Sequence, residues 1–282
     1  MPMSGRFGGR RSEFRCWPQR AVTEDTEVVE RDPGLDCLAR SYLFEGLAAE
    51  QLAPLVDQAT TRRLLRGEVL IRVGDRADEL WVVLRGEVKD SVVDANGEEV
   101  VHFLHGPGMT FGEPGFFAVE HRRIVEVVAT APSVVIRLDR RILVPFMNRH
   151  PVTKDRALEK LASNERWQTT MISSLATKPL ADRLVLRLLE LADSSAERRA
   201  GFAVTPRVSQ ATLAAMVGVS RENVNRALAV LMASGAIRQE RGLYVLVEER
   251  QLRQRVVDGI GPVAERRDRR RDADAASEEN VK

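Results

Sequence analysis

The chain has 282 residues, a formal net charge of +2, and 44% hydrophobic against 30% charged residues. That length fits two domains of ~150 residues with ordinary apolar cores, and the near-neutral balance excludes a generic polycation, so any nucleic-acid contact must rest on local charge. Cys16 and Cys37 cannot make a disulfide framework, no apolar run approaches the ~18 residues of a membrane span, and the start lacks a signal peptide's apolar core; a reducing cytoplasm is expected.

Residues 1–34 read as a disordered arm, rich in Gly, Arg and Pro, with five arginines and one acid in residues 1–20. Ordered sequence is expected from Leu35, where Leu38, Tyr42, Leu43, Phe44, Leu47, Leu52, Leu55 and Val56 suggest one or two short helices. The period then changes. Short strand-like runs beginning at Glu68, Glu79, Glu87 and Glu98 are separated by Gly67, Gly74, Gly86 and Asn96-Gly97, with Gly106-Pro-Gly108 after the last and further strands over 125–138. Strands at ~8–12-residue spacing with turn signals predict an antiparallel barrel or jelly roll over residues 35–150, and Asn96-Gly97 is its strongest hairpin signal.

A helical period runs from residue 145 to about 176, and residues 151–177 are assigned to a dimerisation helix and hinge. Leu158, Leu161, Ile172 and Leu175 fall at heptad-like positions, with Glu165 and Gln168 interrupting the seam. A narrow apolar stripe on a long helix wants a partner helix. Thr177-Lys-Pro breaks the helix, because the residue before a proline avoids the helical region. Leu184, Leu188 and Leu191 then share one face of a further amphipathic helix, a loop follows to Gly201, and Val204 and Val208 suggest a short strand.

The informative stretch is 208–231. Ser209 and Ser220 are candidate N-caps, and Gly218 sits where the first of two helices must end. A helix, a glycine turn and a second helix make a helix-turn-helix. On the second helix Val224, Ala227, Leu228 and Leu231 share one face, able to pack on Leu213, Ala214 and Val217. Arg221, Glu222, Asn225 and Arg226 share the other. Arginine forks onto guanine O6 and N7, and glutamate accepts from the cytosine amino group, so this face suits a major groove. Residues 236–240 and 243–247 read as a wing hairpin around Arg241-Gly242, followed by a last short helix over 250–257. Gln210, Ser220, Arg238 and Arg241 are candidate phosphate contacts. Between residues 204 and 247 there are five arginines (207, 221, 226, 238, 241) against Glu222 and Glu240, a local excess of positive charge. Residues 178–258 therefore read as a winged helix-turn-helix domain, and 259–282 as a disordered charged tail. The fold class is α+β.

The run from Gly106 to Phe117, the later Arg122-Arg123-Ile124 and the Ser-Arg-Glu-Asn-Val-Asn-Arg helix together resemble the CRP/FNR superfamily of bacterial transcription regulators. The resemblance covers about residues 43–252, and its order matches: barrel, long helix, helix-turn-helix, hairpin. It implies a homodimeric, cytoplasmic, sequence-specific regulator of near-palindromic duplex DNA, with RNA polymerase as a further partner and a cyclic nucleotide such as cAMP as effector. In cyclic-nucleotide-binding members a short helix after a glycine turn presents N–H groups to phosphate, an arginine pairs with it, and a glutamate accepts from the ribose. The matching positions are Gly112, Glu113 and Arg123. Pro114 and Ile124 depart from the pattern: Ile124 stands where a Ser or Thr usually gives a hydroxyl to phosphate. Thr169 and Thr170, beside Trp167 and Gln168, match the polar residues that close over the ligand from the long helix. A cyclic-nucleotide site and an altered or ligand-free pocket both remain open.

Other functions fit less well. A cupin-type metal enzyme needs converging ligands, and of the four histidines His102 and His105 lie three apart on a strand, on opposite faces. An iron–sulfur sensor needs more cysteines, and a haem would rest on a strand histidine. A further rival is an interaction module with a dead pocket, acting through dimerisation alone. No metal and no catalytic residue is expected.

Overall fold

The computed structural model describes residues 26–195 and 197–257. Folded chain begins earlier than the expected Leu35. Strand β1 (Thr26–Val28) pairs antiparallel with β2 (Thr60–Leu64), and helix α1 (Arg31–Arg40) follows β1. Strand β1 and the first turn of α1 fall inside the segment read as a disordered arm, residues 1–34. The reason is local: α1 buries only Gly34, Cys37 and Leu38, too few for a visible apolar period. Residues 1–25 and the tail from 258 lie outside the described residues.

A 3-10 turn (Tyr42–Phe44) and α2 (Ala49–Val56) complete the entry helices. The strands that follow are β3 (Val69–Ile71), β4 (Glu79–Arg85), β5 (Val88–Val93), β6 (Glu99–His105) and β7 (Thr110–Phe111), then helix α3 (Glu113–Phe117), β8 (Glu126–Ala129) and β9 (Ser133–Asp139). They form two antiparallel sheets, in the orders β1-β2-β9-β4-β7 and β3-β8-β5-β6. The two sheets share one core: Leu64, Trp81, Val83 and Val135 from the first meet Leu70, Ile71, Val88 and Val127 from the second. This is the expected jelly-roll arrangement. The alternate residues of β4, Leu80 and Val82, face the other way and pack with Leu38, Phe44, Leu52 and Phe146 of the helices. A strand buried on both faces reads as a continuous apolar run, which is what Leu-Trp-Val-Val-Leu is. The Asn96-Gly97 hairpin joins β5 to β6 as expected.

The helical period from 145 is two helices, not one. Helix α4 (Arg140–Arg149) stops at His150, which is pushed to φ −124° and ψ 76° ahead of Pro151, and α5 runs Val152–Thr177. Lys178 and Pro179 end α5, and α6 (Leu180–Ser195) begins the second unit. A small hairpin, β10 (Arg198–Arg199) with β11 (Phe202–Val204), replaces the expected loop. Val208 lies beyond the strand and donates its N–H to the Gly242 carbonyl. Then come α7 (Gln210–Val217), α8 (Arg221–Ala233), β12 (Ile237–Glu240), β13 (Leu243–Leu246) and α9 (Glu249–Val257), with a sheet in the order β10-β11-β13-β12.

The two units touch directly. Val101 and Leu104 of β6 are buried in the same core as Leu184 and Leu188 of α6 and Leu213 and Met216 of α7. Arg187 pins this junction. Its Nε donates to the Met216 carbonyl (3.1 Å), its Nη1 donates to the His102 carbonyl (3.0 Å), and its guanidinium lies 5.4 Å from the centre of the Trp167 ring on α5. One side chain thus ties sheet, long helix and reader together. No helix among the described residues is long and apolar enough to cross a membrane.

Candidate nucleic-acid interface and sensor pocket

The reader is built by two serine caps and one glycine. The Ser209 hydroxyl accepts from the Thr212 N–H (2.9 Å), and Ser220 accepts from the Asn223 N–H (3.4 Å), so each helix starts where its free donors are met. Between them Gly218 adopts φ 67° and ψ 47°, a left-handed conformation that a side chain would strain. Val224, Leu228 and Leu231 of α8 are buried against Leu213, Ala214 and Val217 of α7. Each such aliphatic contributes ~1.5–3 kcal/mol of burial, enough to hold α8 by one face. Arg221, Glu222, Asn225 and Arg226 stand exposed on the other.

Two details prepare that row. Glu222's own backbone N–H, together with the Ser220 hydroxyl, holds its carboxyl below the usual range, so it is an acceptor at neutral pH. Arg226 donates to Asn223 Oδ1 in the free protein, one turn away along the helix. Ser220 is exposed beside the helix start. Gln210 is half-buried at the start of α7, and the Tyr244 hydroxyl of the wing accepts from Gln239 Nε2 (3.5 Å). On the wing Arg238 is exposed and paired with Glu240 (2.7 Å), while Arg241 sits exposed at the tip at φ 48°.

The sensor pocket is organised by Gly112, which reaches φ 93° and caps α3; a Cβ there would lie 2.5 Å from Arg123 Nη1. Only glycine lets the backbone approach the guanidinium so closely. Arg123 is 4% exposed, and Glu113 2% exposed. Arg123 Nη1 donates to the Gly112 carbonyl (3.1 Å), and Nη2 donates to the Glu79 carbonyl (2.7 Å) and to Glu79 Oε2 (3.2 Å). Burial pushes the guanidinium pKa down, and Glu79 opposes that. Glu113 accepts from the Thr110 hydroxyl and from Lys160 Nζ of α5 (2.5 Å). Burial pushes its carboxyl up, but the Lys160 charge and these hydrogen bonds hold it below the usual range. Beside Arg123 lies a cavity of about 200 Å³ lined by Leu70, Ile71, Glu79, Trp81 and Arg137, among others.

The sequence-selected pocket residues do not all meet. Gly112, Glu113 and Arg123 are together. Ile124 is 62% exposed and is not among the residues lining the cavity. Thr169 and Thr170 bond within α5, to Glu165 Oε1 (3.5 Å) and the Arg166 carbonyl (3.0 Å), and not to the cassette. Lys160, three turns earlier on α5, makes that contact instead. Glu79 and Lys160 were missed because each meets its partner more than 40 residues away in sequence. Arg187 was missed too, although a charge within the Leu184–Leu188–Leu191 row was a visible signal. His105 is buried on Asp90 (2.8 Å), and His102 offers its carbonyl to Arg187. The expected opposite facing of the two does not follow from strand alternation here, because β6 carries His102 as an extra residue opposite Asp90 and Ser91, and Val101 and Leu104, three apart, share one core. Among the described residues no group of His, Cys, Asp and Glu could hold a metal ion.

Comparison with known proteins matches both halves. The cyclic nucleotide-binding domain family matches residues 61–150, and the Crp-like helix-turn-helix domain family matches residues 182–255. The chain is 29% identical over 215 residues to a CRP-like cAMP-activated global transcriptional regulator of Mycobacterium tuberculosis, covering 76% of this chain and 95% of that protein. It is 28% identical over 220 residues to the cyclic AMP receptor protein of Thermus thermophilus, covering 78% and 98%. Among solved structures, a CRP/FNR-family transcriptional regulator from Thermus thermophilus matches with a TM-score of 0.51 at 27% identity, covering 70% of this chain and 97% of that one. FixK2 from Bradyrhizobium japonicum shares the fold, with a TM-score of 0.60 at 20% identity over 70% of this chain and 96% of that one. The chain belongs to the CRP/FNR superfamily of bacterial transcription regulators: a DNA-binding regulator rather than an enzyme, with a cyclic-nucleotide-binding-type domain ahead of its winged helix-turn-helix.

Proposed function

We propose that the protein is a homodimeric, sequence-specific regulator that acts in the cytoplasm on near-palindromic duplex DNA. The observation that carries the reading is the division of α8, with Arg221, Glu222, Asn225 and Arg226 exposed and Val224, Leu228 and Leu231 buried. Arg221, Glu222 and Arg226 choose bases, with Asn225 beside them on the same face; Gln210, Ser220, Arg238 and Arg241 set the register on phosphate. RNA polymerase is the further partner through which such a protein changes transcription.

The dimer reading rests on α5. Leu158, Ile172 and Leu175 are 65%, 69% and 58% exposed, and they recur at the heptad positions that a second helix fills. Two copies of α5 side by side would set two copies of α8 one helical turn apart, about 34 Å, on inverted half-sites. The barrel gives a small effector a place to act, and the relatives' description as cAMP-activated makes cAMP the first compound to test.

Selection of bound duplexes from a random pool tests the proposal. Inverted half-sites separated centre to centre by about 10–10.5 base pairs are expected. A pool that stays random, or one enriched in a single uninverted half-site, contradicts the dimeric reader.

A further inference from the structure

Three features of the barrel belong together. The two charged side chains that a phosphate-bearing effector would engage already have partners within the chain. Arg123 has both hydrogens of Nη2 in use, on the Glu79 carbonyl and Glu79 Oε2, and Nη1 on the Gly112 carbonyl. Glu113, the acceptor a ribose hydroxyl would need, is held by Lys160 and Thr110. At the next position Ile124 offers no hydroxyl and is exposed.

The second feature is the position of Glu79. Its two carboxylate oxygens bridge two cations: Oε2 lies 3.2 Å from Arg123 Nη2, and Oε1 lies 2.8 Å from Arg137 Nη2. All three side chains line the 200 Å³ cavity. A carboxylate forked between two guanidiniums is the pairing a phosphate would make there. The third feature is the wall behind it, where Trp81 stacks on Phe111 with ring centres 6.4 Å apart and planes 11° from parallel. These rings fill the barrel between the sheets.

We propose that the Glu79 carboxylate is the resident anion of this pocket, occupying Arg123 and Arg137 in place of an effector's phosphate, so that the wild-type barrel excludes cyclic nucleotides. This rests on reading the Gly112–Arg123 cassette as the family's effector site. Physically, a phosphate entering the site must first displace a carboxylate from a buried guanidinium, and leave that carboxylate beside the incoming negative charge. Two anions sharing one site repel strongly at low local dielectric. Removing Glu79 reverses the situation. The main-chain carbonyls of residues 79 and 112 still hold Arg123, and Arg123 and Arg137 then face the cavity without the carboxylate that bridged them, leaving Asp75 on the cavity lining and Asp139 3.9 Å from Arg137.

Calorimetry on the full chain tests this, with cAMP and inorganic phosphate titrated separately. The wild type is expected to show no saturable heat with either up to ~1 mM, a limit of about −4 kcal/mol in binding free energy. Glu79→Ala should bind at least one of them roughly tenfold or more tighter than that limit, and Glu79→Ala combined with Arg123→Met should lose the gain. Gain with both compounds would mean a general phosphate site, and gain with cAMP alone a site that also holds the base; either supports the proposal. If Glu79→Ala does not fold, Glu79→Gln keeps the side-chain volume without the charge. Added phosphate should then raise the melting temperature of that variant and leave the wild type's unchanged.

Saturable cAMP binding by the wild type that Arg123→Met abolishes would overturn the proposal. So would a folded Glu79→Ala variant that gains nothing, or a Glu79→Gln variant whose melting phosphate does not shift. None of these titrations contains DNA. A protein that gave the expected heats and read no duplex would therefore sink the regulator reading and leave this one standing.

Discussion

Arg226 and Arg241 carry the same charge and should fail differently when removed. Arg226 lies on the exposed row of α8, which we propose meets base edges, whereas Arg241 sits at the wing tip, which we propose meets phosphate. Arg226→Ala is expected to cost roughly 1–3 kcal/mol on the selected site and to relax preference at one base pair of each half-site, with little change on scrambled DNA. Arg241→Ala should weaken binding about equally on both duplexes and lower the salt slope by about one. Fluorescence anisotropy over a salt series separates the two. Equal losses from Arg226→Ala on both duplexes would remove its base-reading role. At the same scale, Gly218→Ala places a Cβ in a left-handed conformation but in open space, so strain is its only cost, and thermal unfolding should register about 1 kcal/mol.

The elements differ in how much of themselves the sequence displays. The reader is legible because its instructions are local: within a dozen residues Ser209 starts the first helix, Gly218 stops it and Ser220 starts the second. Strands β4 to β6 are legible because glycines punctuate apolar runs. Strand β2 is not, since Thr-Thr-Arg-Arg-Leu buries Thr61 and Leu64 while showing no apolar alternation. Strand β7 has two residues, too few for any period. The pocket is half legible. Its glycine turn is a local motif, but the Arg123–Glu79 and Glu113–Lys160 pairs form only after the strands and α5 come together, and no spacing announces them. The element whose expectation most needs testing is α5. Ile172→Glu places a carboxylate in the proposed seam, and sedimentation velocity should show the dimer giving way to monomer at micromolar concentration. An unchanged dimer would move the interface off this helix.

Across the whole molecule the question is what holds reader to sensor. Arg187 makes its hydrogen bonds to two carbonyls on different units, and Glu190 lies one turn on at 3.9 Å from its Nη1. Burial pushes the Glu190 carboxyl up to about 7, with Arg187 opposing the shift. The folded state therefore holds a proton that the unfolded chain releases near the ordinary glutamate value. The contribution to stability is present below that value and is lost as pH rises through about 7. Glu190→Gln, which stays neutral, should raise the melting temperature more at pH 8 than at pH 5; an equal shift at both would place the ionisation elsewhere. Arg187→Met should loosen the junction itself, and two unfolding transitions in place of one are expected by calorimetry.

The most direct test of the molecule as a DNA reader compares the wild-type protein's affinity for a selected inverted-repeat duplex with that for a scrambled duplex of equal composition, at ~150 mM salt. A preference of roughly 10³ or more is expected, falling when Arg221 or Arg226 is replaced by alanine. Equal affinity for the two duplexes would contradict the reading of α8 on which the whole account stands.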